Sequence, residues 1–137
     1  MDLQNLLYAA VQVVHNFGAA AVVGGTVFAL WPRRQGEEVR RALAWLVLVA
    51  WSAQAASGLG FGLVSQYYYG RPPDIHGVAV VALGIKVVCA VLGFLLAAWY
   101  LASAAKWPEG RRLALWRGIG ALGVIALTAA AFLRWFS

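Results

Sequence analysis

The side chains in this sequence best suited to binding a metal or handling a proton near neutral pH are His15, His76, Lys86 and Cys89. His15 lies in VVHNFGAAAVVGG and Lys86 in LGIKVVC, both long apolar contexts. A neutral imidazole is a good iron ligand. A lysine in a hydrophobic run is costly to desolvate, so inside a membrane it marks a functional position. The single cysteine excludes an internal disulfide and a cysteine-based metal cluster within one chain.

These residues sit in an unusually apolar chain. Of 137 residues, 63% are hydrophobic and only 12% charged, beyond the range of ordinary soluble domains. Apolar stretches predict helices at about 5–31, 42–64, 76–105 and 116–136. Each reaches the ~20 residues needed to cross ~30 Å of hydrocarbon. The stretches do not alternate between polar and apolar residues, so helices are expected rather than barrel strands. The expected architecture is all-α: an integral membrane four-helix bundle, with residues 1–137 forming a single transmembrane domain. The chain opens MDLQN, with neither a basic start nor an obvious cleavage site. The first helix is therefore expected to stay in place rather than to act as a signal peptide.

The formal charge of +6 is concentrated in two loops. Arg33, Arg34, Arg40 and Arg41 lie in or beside 32–41, and Lys106, Arg111, Arg112 and Arg117 in or beside 106–117; only Arg71 and Arg134 lie opposite. The positive-inside rule puts both loops in the cytoplasm and both termini on the non-cytoplasmic side, as in a bacterial inner membrane. Basic charge placed this way is a topology signal and an anionic-lipid contact, and gives no support to a nucleic-acid partner. The loops resemble each other: LWPRRQGEEVRRALAW and KWPEGRRLALWRG share Trp-Pro, a glycine, an arginine pair and a Leu/Ala/Trp helix start. Duplication of a helical hairpin and convergence on one interfacial pattern both explain this. The longest connection, SQYYYGRPPDIHG (65–77), carries interfacial tyrosines and a Pro pair, with Asp74 as a helix-cap candidate.

At helical spacing, His15 shares a face with Gly18, Ala19, Val22, Gly25 and Thr26. Lys86 shares one with Ala79, Ala82, Cys89, Ala90, Gly93 and Ala97. Small-residue stripes allow close helix approach in membranes, so His15 and Lys86 are expected to face the interior. Trp51, Gln54, Ser57 and Gly58 share a side of the second helix. Small residues beside polar anchors also leave room for a flat cofactor. Gly58, Gly60 and Gly62 are candidates for packing against another copy.

Two histidines suggest a heme held between His15 and His76. Counted from Trp31 and Trp107, however, His76 stands 15 residues higher than His15, roughly 22 Å along straight helices. The same count puts Lys86 five residues higher than His15, roughly 7 Å, within reach of a lysine side chain. Alternatives remain for each residue: His15 as a hydrogen-bonded structural histidine, Lys86 snorkelling outward, and His76 as a surface or capping group.

His15 followed by Gly24-Gly25, with Leu83-Gly84-Ile85-Lys86 in the third helix, resembles the transmembrane domain of the copper-resistance CopD family. The helix 1 histidine paired with a helix 3 lysine is also similar to the HemJ-type protoporphyrinogen oxidases, small heme b proteins, and Trp31-Pro32-Arg33-Arg34 resembles their Pro-Arg motif. Val22 stands where both families often carry tryptophan. The resemblance implies His15 as an axial heme ligand and Lys86 as a charged partner near the porphyrin.

The expected function is a membrane-embedded heme-b-binding redox protein, carrying out electron transfer or HemJ-like oxidation. His15, Lys86, Gly18, Trp51 and Gln54 are the cofactor-binding candidates, and His15 and His76 the metal-ligand candidates. A quinone or a redox protein would be its partner. One alternative is CopD-like copper handling, although soft sulfur ligands for Cu(I) are limited to Met1 and Cys89. Another is a non-catalytic anchor subunit of a larger respiratory complex. Five acidic residues, none within a helix core, argue against a carboxylate-based transporter.

Overall fold

The computed structural model describes residues 2–31 and 35–136; Pro32, Arg33 and Arg34 of the first basic loop lie outside the described residues. Four helices follow one another: α1 (Leu3–Ala29), α2 (Glu37–Tyr69), α3 (Val78–Ser103) and α4 (Glu109–Phe136), with a 3-10 turn at Ala104–Lys106 between α3 and α4. All four are long and apolar enough to cross a membrane. The main packing pairs are α1 with α2 and α3 with α4, so the chain forms two hairpins. Contacts of α2 with α3 and of α1 with α4 close the ring and leave α1 diagonal to α3. Four successive crossings return both termini to one end, here called the terminal end; the other is the basic end.

Local chemistry sets the helix limits. The Asp2 carboxylate accepts from the Gln4 backbone N–H at 3.2 Å and caps α1. Gly70, at φ 68°, ends α2 in the left-handed conformation that glycine adopts without strain. Gly77 rather than Asp74 precedes the first turn of α3. The Asp74 carboxylate instead faces His76 at 3.3 Å. At the basic end, α2 and α4 begin before the apolar runs at 42 and 116. Their opening turns are charged, Glu37 and Glu38 in one and Glu109 in the other, and acids are favourable at helix N-termini.

Those turns also hold each other. Arg40 pairs with Glu109 at 2.6 Å, and Arg112 with Glu37 at 2.6 Å. The Tyr100 hydroxyl donates to Glu37 at 3.4 Å, and Arg41 to the Leu101 carbonyl at 3.3 Å. The Arg111 guanidinium lies over Trp107, 4.4 Å from the ring centre. The Arg40 side chain is only 6% exposed. Glu109→Ala leaves that buried cation unpaired and is expected to cost about 1.5–3 kcal/mol. Thermal unfolding in lipid nanodiscs checks this; a midpoint equal to wild type would show that the ion-pair belt does not hold the basic end.

The pairing is reciprocal. Glu37-x-x-Arg40 and Glu109-x-x-Arg112 exchange partners, and the exchange extends into the helices. Leu46 packs on Gly25 as Leu96 packs on Gly118, and Val22 packs on Gly123 as Trp51 packs on Gly93. A shift of 71 residues carries the buried Gly18, Val22, Thr26 and Ala29 of α1 onto the buried Cys89, Gly93, Ala97 and Tyr100 of α3. The hairpins are thus related by an approximate two-fold axis running along the bundle. The repeated Trp-Pro loops belong to a repeated packing scheme.

The apolar core lies toward the basic end, where Val47, Tyr100, Trp116 and Ile119 are the largest fully buried side chains. Toward the terminal end burial thins on two helices: α1 has no fully buried residue before Gly18, and α4 has only Ala129 after Gly123, while α2 and α3 stay buried there at Ser57, Ser65, Ala79 and Ala82.

Candidate functional site

His15 is half-buried on the inner side of α1, above this core. Its Nδ1 lies 2.8 Å from Ser57 Oγ on α2. Ser57 is itself tied to its own helix, with Oγ 2.6 Å from the Ala53 carbonyl and 3.2 Å from that of Gln54. A hydroxyl has one proton. With that proton directed to the backbone, Ser57 accepts from Nδ1–H, and the imidazole lone pair falls on Nε2. Second-shell bonds of this kind fix the tautomer of ligating histidines. Phe61 meets the ring edge-on, with centroids 5.9 Å apart.

Gln54 reaches across the α1–α2 interface to donate its amide to the His15 carbonyl. Gly18 makes this crossing feasible: a Cβ there would stand 2.7 Å from Gln54 Nε2. The slot expected beside Gly18 is therefore filled by Gln54. Gly25 is likewise packed by Val47, and Gly60 by Val11, so these small residues serve helix packing within the chain. Gly58 and Gly62 have open space around them. Trp51 is buried below the site against Gly93, and its Nε1 has no hydrogen-bond partner.

Lys86 is half-buried on α3. The two-fold relation makes it the counterpart of His15, at the same level on the diagonal helix. The roughly 7 Å offset counted from the tryptophans is corrected by this register. Trp107 follows the 3-10 turn at Ala104–Lys106, whereas Trp31 closes α1 directly, so the two are not equivalent markers. Among the described residues Lys86 has no hydrogen bond or ion pair, and every acid lies at a helix end or in a loop. The two hairpins thus place an imidazole held by Ser57 at one position and a lysine with no acidic partner among the described residues at its counterpart.

The structure does not bring His76 to this place. Its side chain is 82% exposed in the connection before α3, beside Asp74, ten residues from Lys86 along the chain, or roughly 15 Å if helical throughout. Among the described residues no three His, Cys, Asp or Glu side chains converge as a metal site. A groove of about 280 Å³ between α1 and α4, lined by Val22, Thr26, Gly120 and Arg117 among others, lies toward the basic end and does not include His15.

The sequence named Ser57 as a neighbour of Gln54 but did not assign it to His15. Its spacing from Gln54 and Trp51 was the available signal. Compared with protein-family models, curated proteins and solved structures, the chain has no match in any of the three.

Proposed function

We propose that this chain is an integral membrane heme-b-binding redox protein in which His15 is the axial ligand. It would sit in a bacterial inner membrane, with the basic loops in the cytoplasm and both termini outside, following the placement of its arginines. The observation that carries the reading is the Ala53–Ser57–His15 chain, which holds the imidazole with Nε2 free at mid-depth. The donor set favours heme over bare copper. A lone imidazole suits a group that brings its own four equatorial nitrogens, whereas Cu(I) calls for converging soft ligands.

His15 would hold the iron and Ser57 would orient the ring. Lys86 would place a positive charge opposite, offsetting an anionic cofactor or substrate group. Trp51 closes the site from below, so a guest would lie toward the terminal end, on the side where burial thins on α1 and α4. Bound there, heme b supplies one-electron chemistry. The electron partner by this reading is a membrane quinone or another redox protein, in line with the resemblance to CopD-like and HemJ-like proteins.

The first test is the absorption spectrum of protein purified from heme-replete cells. A Soret band that shifts on reduction with dithionite supports the proposal; a colourless protein carrying copper by metal analysis rejects it. Ser57→Ala is expected to weaken heme retention by about 10–100-fold, the usual cost of losing a second-shell partner. Heme titration of the apoprotein reads this, and unchanged affinity would remove Ser57 from the site.

A further inference from the structure

The outward face of α1 carries two amides where lipid is expected. Gln12 and Asn16 are both exposed, and the Gln12 amide donates to Asn16 Oδ1 at 2.6 Å. Asn16 is the central residue of Leu3–Ala29, so it meets acyl chains rather than water. One bond between two amides leaves the Asn16 N–H pair unsatisfied, and in hydrocarbon such groups find partners on another helix. Continuing along the same face, Ala20 and Gly24 are also exposed, and nothing lies within 4 Å of a Cβ placed at Gly24.

The approximate two-fold supplies an internal comparison. The counterparts of Gln12, Asn16, Ala20 and Gly24 on α3 are Leu83, Val87, Val91 and Leu95, exposed by 40%, 55%, 53% and 53%. At these four positions α3 presents a bulky apolar chain to lipid and α1 an amide or a residue small enough for backbones to approach, whereas elsewhere on the exposed surface, as at Ile85 and Val14 or Val88 and Phe17, both helices present bulky apolar chains. Exposure to acyl chains is common to both helices and does not explain the difference.

We propose that this face of α1 is a dimer interface that receives α1 of a second copy of this chain, parallel and about a two-fold axis along the membrane normal. An amide both donates and accepts, so Gln12 and Asn16 satisfy their own images across such an axis. The face carries no charge that would select a different, oppositely charged partner. Ala20 and Gly24, four residues apart, let the helices approach closely in a right-handed crossing.

The test uses the full chain in phosphatidylcholine–phosphatidylglycerol vesicles. Protein carrying one fluorescent label per chain, diluted so that each resolved spot holds a single complex, is expected to bleach in two steps, and the double variant Gln12→Leu/Asn16→Leu in one. In a Cys89→Ser background, Asn16→Cys is expected to form a disulfide-linked dimer on oxidation, while Val87→Cys at the matching position of α3 does not. Single-step bleaching of the unmodified chain, two-step bleaching that survives the double variant, or equal cross-linking at both positions would overturn the proposal.

Discussion

Alanine at position 15 is expected to abolish the heme Soret band, while alanine at position 76 leaves it intact. His15 has its Nδ1 engaged by Ser57 and its Nε2 available, and His76 is exposed beside Asp74. Loss of a second-shell partner already costs about 10–100-fold in affinity, so loss of the ligand should exceed that. The two variants read different physics. His15→Ala removes a group that α2 orients at mid-depth. His76→Ala removes a loop side chain that touches only its neighbour Asp74. If both variants keep the band, the iron is held elsewhere; if His76→Ala alone loses it, the ligand assignment is reversed. Far-ultraviolet circular dichroism on the same samples separates loss of cofactor from loss of fold.

Gly93→Ala is expected to destabilise the bundle by about 1–3 kcal/mol through overpacking. Trp51 lies so close to the Gly93 backbone that a methyl there would overlap the indole. Trp51 is 3% exposed and packed among helices on both sides, so the ring cannot step aside without disturbing the core. Trp51→Phe removes the part of the ring that a methyl would meet. The cost of Gly93→Ala should therefore shrink in the Trp51→Phe background, a coupling that a double-mutant cycle of unfolding midpoints measures. Gly58→Ala, at an open position on α2, should change stability by less than about 0.5 kcal/mol. Equal costs for Gly93→Ala in both backgrounds would remove the Trp51 contact as the cause.

The helices were legible because membrane helices announce themselves by length and apolarity, and the inward faces of α1 and α3 followed from their small residues. Helix starts at the basic end were not. Counting apolar residues stopped at 42 and 116, although Glu37, Arg40, Glu109 and Arg112 continue the helices by neutralising one another. Those pairs join residues about seventy positions apart, and no local pattern reveals them. The level of Lys86 is hidden from the sequence for a related reason. Trp31 and Trp107 look alike in sequence, but a turn of 3-10 helix separates Trp107 from α3. Gly18, Gly25 and Gly93 are points of close approach, as the small-residue stripes predict, yet sequence does not reveal what approaches: Gln54 at Gly18 and Trp51 at Gly93, while Gly60, a candidate for packing against another copy, meets Val11 of the same chain. Likewise Ser57 became the partner of His15 only once α1 and α2 were in register.

The internal two-fold gives the difference between His15 and Lys86 a particular meaning. Had both hairpins kept the same residue there, a flat guest between them would meet the same polar group on both flanks and only apolar or small residues would tell its two faces apart. An imidazole on one flank and a lysine on the other make the two flips unequal in energy. Divergence at a single matched pair of positions is thus enough to give two hairpins related by rotation a front and a back.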